Sequence, residues 1–241
     1  MALAWLTTAA VGAARADAGS PLQEEPVPNE GSTGPGRFLL GFNGVYGSPQ
    51  GEFRRYVDRG FGFVFHGSMG FGPARAVGFR IELGALEYGR ETVEKPFSST
   101  VGRVTVEVTT SNTIGLLGAG PYVMLPLGRV RPYGYGTVGL AYFATHSSVT
   151  GQNDTVPIAE SKNFDAATHA YVAGLGVAIL VAGGDKPVAL DLGVQHRWQG
   201  KTRYSREGSI QEDGSGNISF TPIESRTNLL MFWLGVSVGL R

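Results

Sequence analysis

From Arg37 onward, large apolar residues recur at every second position, in eight separate sets. Phe38, Leu40, Phe42 and Tyr46 form the first. Phe61, Phe63, Phe65, Met69 and Phe71 form the second, and Val77, Phe79, Ile81 and Leu83 the third. Ile114, Leu116, Tyr122 and Met124 make a fourth, and Val138, Leu140 and Tyr142 a fifth. The sixth is Tyr171, Leu175, Val177, Ile179 and Val181. The seventh is Val188, Leu190, Leu192, Val194 and Trp198. The eighth runs from Leu230 through Phe232, Leu234, Val236 and Val238 to Leu240. Side chains alternate across a strand, so each set is one face of a β-strand. No comparable stretch has a period of 3.6. Leu117, Val123, Tyr133, Tyr135 and Phe143 lie off the faces assigned to the fourth and fifth strands.

The opposite faces decide what kind of barrel eight such strands make. In the second strand that face is Gly60, Gly62, Val64, His66, Ser68 and Gly70. In the sixth it is Thr168, Ala170, Val172, Gly174, Gly176 and Ala178, and in the last Trp233, Gly235, Ser237 and Gly239. A barrel in water would carry charged residues there. These faces are small and almost uncharged, as the interior of a narrow barrel requires. The bulky apolar faces then point outward, which is stable only in lipid.

Long and short connections alternate. Gly47–Arg59, Gly89–Ser111, Thr145–Asp165 and Gly200–Ser225 are long and polar. Gly72-Pro73-Ala74, Pro126–Arg131 and Gly183–Pro187 are short. Outer-membrane barrels keep short turns on the periplasmic side and long loops outside. An even strand count puts both termini on the periplasmic side. Val104, Val106 and Val108 share the parity of Ile114 and Leu116, so the fourth strand is expected to start near Arg103, inside the second long connection, and to protrude above the membrane.

Ahead of the strands, residues 1–18 read as a signal peptide, with an apolar stretch ending in Ala14-Arg15-Ala16 and Ala16-Asp17-Ala18 cleavage patterns. Residues 19–36, rich in Pro, Glu and Gly, read as a flexible periplasmic tail. The barrel then occupies 37–241. Lys plus Arg and Asp plus Glu number 20 each, leaving no basic field for a nucleic acid. The absence of Cys excludes disulfides, Cys-zinc sites and thiol catalysis.

From Arg37 to Arg241 the sequence resembles the OmpA-like/OmpX-like family, the small eight-stranded outer-membrane barrels of the porin group. The likeness lies in strand number, loop alternation, the signal segment and the chain end. Such barrels usually finish with a Gly and alternating apolar residues, an assembly signal that ends in an aromatic. Gly235, Val238 and Leu240 supply that pattern here, with Leu240 and Arg241 in place of the aromatic. The resemblance implies a closed antiparallel up-and-down transmembrane β-barrel in the bacterial outer membrane. It implies contact with outer-membrane lipids and lipopolysaccharide, and with the barrel assembly machinery during biogenesis. A monomer is expected, with no cofactor and no nucleic acid, and with the long loops free to contact a surface ligand.

Parity places Arg80, Glu82, Asp191, Gln195 and Arg197 on the lumen face. Buried charges must be paired, so the expectation is a salt-bridged polar plug. The alternative is a gate, in which partner exchange opens a narrow solute channel. His66 and Ser68 with Glu82 resemble the arrangement in outer-membrane lipid A deacylases, where a His activates a Ser hydroxyl and a Glu orients the His. Parity puts them among lumen glycines, so a packed polar group is the plainer reading, and no catalytic or metal-binding residues are assigned. Tyr46, Tyr88, Tyr142 and Trp198 near the long loops, and Tyr122, Tyr133 and Tyr135 near a short turn, are expected to form two aromatic girdles. The function expected is a non-enzymatic structural and surface-contact role in the envelope, with the solute channel and the lipid A-modifying enzyme as alternatives.

Overall fold

The computed structural model describes residues 37–96, 105–151, 157–205, 210–212, 218–220 and 222–240. The expected signal peptide and tail lie outside these residues, as do Val104 and Arg103, the expected start of the fourth strand. Eight strands close into one barrel: β1 (Phe38–Pro49), β2 (Gly60–Phe71), β3 (Val77–Pro96), β4 (Thr105–Met124), β5 (Val130–Gly151), β6 (Pro157–Ala182), β7 (Val188–Gln199) and β12 (Leu229–Leu240). Between β7 and β12 lie the short strands β8 (Lys201–Tyr204), β9 (Ile210–Glu212), β10 (Ile218–Phe220) and β11 (Ile223–Arg226). Each barrel strand pairs antiparallel with its neighbour in sequence, and β1 pairs with β12 from Phe38↔Leu240 to Pro49↔Leu229. The ladder therefore has no free edge around the barrel waist. Gly128 and Gly184, in two of the short turns, take positive φ of 67° and 96°, which a side chain would resist.

The exterior is apolar. Phe63, Phe65, Phe79, Ile81, Leu83, Leu140, Leu175 and Leu234 are each more than two-fifths exposed. A patch this extensive is not tolerated on a soluble monomer. The interior holds the small faces of β2 and β6. Large inward side chains rest on glycines of β6, β7 and β1: Tyr133 against Gly176, Tyr135 against Gly174, Trp233 against Gly193 and His66 against Gly41. In each case a Cβ on the glycine would collide with the ring.

Two sequence-based expectations are corrected. In β4, Ile114, Leu116, Tyr122 and Met124 are buried inside the barrel at 0–3% exposure, while Leu117 and Val123 face out at 46% each. The outward row of β4 is Gly115, Leu117, Ala119, Pro121 and Val123, which is less apolar than the inward row. The faces of β2 and β6 are too small to fill the lumen, so β4 and β5 supply the bulk. The register Leu83↔Leu117↔Leu140 confirms the outward row.

The second correction concerns the long connections. Much of Gly89–Ser111 and Thr145–Asp165 is strand: β3 and β4 have 20 residues, β5 has 22 and β6 has 26, against 12 in β1. A membrane strand needs only ~9–11 residues, so these four continue past the apolar belt as a polar sheet. There both faces carry polar residues and the apolar alternation disappears, although the backbone ladder continues. Hydroxyl pairs run across it, Thr92–Thr109 at 3.0 Å and Thr110–Ser147 at 2.8 Å. Val106 and Val108 lie in this extension.

The β4 assignment is directly testable. Leu116→Ala opens a cavity in a packed lumen and should cost about 2–5 kcal/mol. Leu117→Ala should cost distinctly less, because acyl chains fill the space. Equilibrium urea unfolding in vesicles reads both, and a silent Leu116→Ala would contradict the register.

Candidate functional site

The lumen is filled in two storeys, a charged belt toward the short turns and an aromatic cap toward the long connections. β3 carries Glu82 inward (1% exposed) and β7 carries Arg197 (0%). Arg197 Nη1 donates to Glu82 Oε1 at 2.7 Å. The Thr137 hydroxyl, on β5, donates to the same oxygen at 3.4 Å. Arg80 Nε lies 3.9 Å from Glu82 Oε2, and its guanidinium sits 4.3 Å from the Tyr135 ring centroid. One carboxylate thus serves two buried guanidinium groups. Arg80 Nε and Arg197 Nε and Nη2 have no hydrogen-bond partner in the protein. Arg197 takes its counter-charge from Glu82, whereas Arg80 lies within electrostatic reach of both Glu82 and Asp191.

The second acid, Asp191 on β7, is held separately. Tyr133 OH donates to its Oδ1 at 2.5 Å, and Trp233 Nε1 donates to the same oxygen at 3.3 Å. His66 Nε2 lies 3.5 Å from its Oδ2. Tyr135 OH donates to Gln195 Oε1, and Gln195 Nε2 contacts the Met231 sulfur at 3.4 Å. The five polar residues singled out from the sequence therefore occupy one buried belt in two sub-clusters. Arg80, Glu82 and Arg197 form one, and Asp191 and Gln195 join through Tyr133, Tyr135 and Trp233. Asp191 makes no ion pair with Arg197. Of the chain-end pattern, Gly235 faces the lumen, with its Cα side against Asn43, whereas Val238 and Leu240 face outward beside Leu40 and Phe38.

Above the belt the lumen mixes apolar side chains with the buried hydrogen-bonded pairs Thr145–Asn112 and Thr227–Gln199. Leu86, Ile114 and Leu229 are fully buried there. An aromatic cap closes the loop end. A one-turn 3-10 helix, Phe53–Arg55, turns Phe53 inward. Its ring packs edge-on against Tyr88 (5.8 Å), Phe143 (6.2 Å) and Tyr204 (5.0 Å). Tyr88 OH donates to the Ser205 carbonyl at 3.0 Å, and the Tyr204 and Ser225 hydroxyls are 2.8 Å apart. The first and last long connections are also tied to each other. Gln50 N–H donates to the Asn228 carbonyl at 2.9 Å, and Arg226 N–H donates to Glu52 Oε2 at 3.0 Å. Phe53 and Tyr204 stand in polar stretches without periodicity. Their only sequence signal was a large aromatic isolated among charges.

The cap also corrects the girdle expectation. Tyr46, Tyr142 and Trp198 face out, at 38–48% exposure. Tyr88, Tyr122, Tyr133 and Tyr135 face inward, at 2–8%. The inward tyrosines supply bulk over glycine and hydroxyls for buried acceptors, which a lipid-facing tyrosine would not do.

His66 and Ser68 lie on the lumen face of β2, at 6% and 5% exposure, and in register with Glu82 and Arg80. His66 Nε2 is turned to Asp191, and its Nδ1 has no hydrogen-bond partner. Ser68 is thus given no activated proton acceptor. Among the described residues no three His, Asp or Glu side chains are grouped to hold a metal ion.

No protein-family model and no curated protein matches the chain. Solved structures similar to it include Ail, the attachment invasion locus protein of Yersinia pestis, in complex with the heparin analogue sucrose octasulfate. The identity is 12% over 83% of this chain and 95% of that one, with a TM-score of 0.40. Neisserial surface protein A is also similar, at 12% identity over 85% and 97%, TM-score 0.39. So is a major outer membrane protein of Thermus thermophilus, at 16% identity over 82% and 98%, TM-score 0.40. In strand number, closure and apolar exterior, the chain has the architecture of a small outer-membrane β-barrel. Its chemistry is read from its own residues.

Glu82→Ala leaves the buried Arg197 guanidinium without its paired carboxylate and Arg80 with Asp191 alone. The loss expected is about 3–5 kcal/mol of unfolding free energy in vesicles. Arg203→Ala removes an exposed pair with Glu224, 3.5 Å apart, and should shift stability by only about 0–1 kcal/mol. Equal effects would refute the buried-pair account.

Proposed function

We propose that this protein is an integral barrel of the bacterial outer membrane with a closed lumen, acting in the envelope through its loop end rather than by transport or catalysis. The observation that carries the reading is the two-storey filling of the lumen. The buried Arg80–Glu82–Arg197 cluster blocks the lower half, and the Phe53–Tyr88–Phe143–Tyr204 cap covers the upper. An eight-stranded barrel has an interior just wide enough for its own side chains. Passage of a solute would need several buried groups to move together.

The polar sheet formed by the upper parts of β3, β4, β5 and β6 supports the surface-contact role. It presents hydrogen-bonded, Thr- and Ser-rich strands beyond the apolar belt. With the long connections on the outer side, that sheet stands outside the cell. Burial of His66 and Ser68 disfavours the lipid A-modifying reading, since an acylated lipid has no access to either group. The narrow-channel reading requires the belt to rearrange.

Planar-bilayer recording of the purified, refolded protein distinguishes these readings. The closed-lumen proposal predicts no steady conductance above the lipid baseline. A reproducible ohmic step in the wild type, abolished by bulk introduced at Val172, would establish the channel instead.

A further inference from the structure

Four oxidisable rings form an unbroken chain through the buried belt. Tyr122, on β4, lies 5.6 Å from Tyr133 of β5, centroid to centroid. Tyr133 lies 6.3 Å from Tyr135, and Tyr135 lies 6.2 Å from Trp233 of β12. Tyr133 and Trp233 are neighbours as well: Tyr133 Cζ and Trp233 Cζ2 both stand over Gly176, where a Cβ would collide with either ring. All four side chains are buried, at 2–8% exposure. With no Cys in the chain, phenol and indole are its side chains most easily oxidised by one electron. Trp233 sits between the outward Phe232 and Leu234, so one strand of backbone separates its ring from the acyl chains.

Removing an electron makes a phenol strongly acidic. The ring that keeps the vacancy is therefore the one whose proton has an acceptor within hydrogen-bond reach. On this measure the rings differ. Tyr133 OH donates at 2.5 Å to Asp191 Oδ1, a carboxylate oxygen that can take the proton along the existing bond. Trp233 Nε1 donates to the same oxygen at 3.3 Å, a longer bond. Tyr135 OH donates to Gln195 Oε1, an amide oxygen that is not a base. The Arg80 guanidinium, 4.3 Å from the Tyr135 ring centroid, also opposes positive charge on that ring.

We propose that the belt is a one-electron oxidation site, in which an electron vacancy entering at Trp233 comes to rest on Tyr133 as a neutral tyrosyl radical. The oxidant class is a peroxyl radical formed in the surrounding lipid. One electron passes from Trp233 to the peroxyl radical, and the resulting peroxide anion takes a proton from water at the membrane surface to become a hydroperoxide. Tyr133 then returns an electron to the indole radical cation while its phenol proton passes to Asp191. The indole is restored, the Tyr133 O–H bond is broken, and the products inside the barrel are a neutral radical and a neutral carboxyl group. Each chain takes up one oxidising equivalent, so no turnover is implied. Asp191 acts as the proton acceptor, and Gly176 lets the two rings approach. The site belongs to the packed belt and is independent of the role of the loop end.

The test uses the full chain refolded in phosphatidylcholine vesicles. A lipid-soluble azo initiator supplies peroxyl radicals in air, and freeze-quenched samples are read by electron paramagnetic resonance. The wild type should give a tyrosyl signal, coupled in heavy water to an exchangeable deuteron at the phenoxyl oxygen. Tyr133→Phe should remove that signal, whereas Tyr135→Phe, which also loses a buried hydroxyl, should keep it with the same line shape. Asp191→Asn should remove it although Tyr133 is present, because the amide does not take the proton. Each variant is first checked for folding by resistance to proteolysis in the vesicles, and the Tyr133→Phe and Tyr135→Phe pair decides the matter if Asp191→Asn does not fold. Absence of a tyrosyl signal in the folded wild type would overturn the proposal. So would a signal that survives Tyr133→Phe, which would place the radical on another tyrosine, or one that survives Asp191→Asn with its deuteron coupling unchanged.

Discussion

The pairing of β1 with β12 is the constraint from which the other features follow. Closing eight strands leaves no unpaired sheet edge through the lipid, as a bilayer with no water to satisfy N–H and C=O groups demands. The same closure sets the bore. It is narrow enough that each large inward side chain needs a small one facing it, and Tyr133, Tyr135, Trp233 and His66 are seated over glycines for that reason. It is also narrow enough that a charge placed inside has no water reservoir. Arg80 and Arg197 therefore converge on one carboxylate, Glu82, and Asp191 is surrounded by the donors Tyr133 and Trp233. Charge, bulk and glycine in the lumen are three consequences of one geometric limit.

Where the strands leave the lipid, that limit relaxes. β3, β4, β5 and β6 continue as a polar sheet, while β1, β2, β7 and β12 stop at 12 residues each. The connections from the shorter strands fold back over the opening instead. Phe53 from the first and Tyr204 from the last meet with Tyr88 and Phe143. A backbone bond from Gln50 to Asn228 holds the two connections together. Edge-on aromatic pairs contribute roughly 0.5–1.5 kcal/mol each beyond burial. The cap is thus bound by several modest contacts in addition to its buried area. It is the part of the molecule where a contact made outside the barrel could reach the lumen.

Strand number, closure and the outward face of seven strands are legible in the sequence, because lipid selects a continuous apolar row such as Phe61, Phe63 and Phe65. β4 misleads for a physical reason. Both of its faces are apolar, since Ile114 and Leu116 fill the lumen while Leu117 and Val123 meet lipid. Periodicity alone cannot rank two apolar faces. The inward tyrosines mislead likewise, because a tyrosine near a strand end suits a girdle as well as a lumen acceptor. Polar extensions of β3, β5 and β6 pass for loops once both faces carry polar residues, whereas in β4 the alternation of Val106 and Val108 marks the extension. The lumen acids and arginines can be placed on the inner face from parity. Their pairing cannot, because Glu82 reaches across to Arg197 on a strand far away in the chain, and the aromatic cap leaves no periodic trace.

The central claim is that lipid lies outside this barrel and tightly packed protein fills it. Nitroxide spin labels at Leu175 and Val172, on opposite faces of β6, test both halves by power saturation in vesicles. The account predicts high accessibility to oxygen and low accessibility to a water-soluble nickel chelate at Leu175. At Val172 it predicts low accessibility to both. Strong access of the nickel chelate at Val172 would mean a water-filled lumen, and strong access at Leu175 would mean that the apolar face is not in lipid at all.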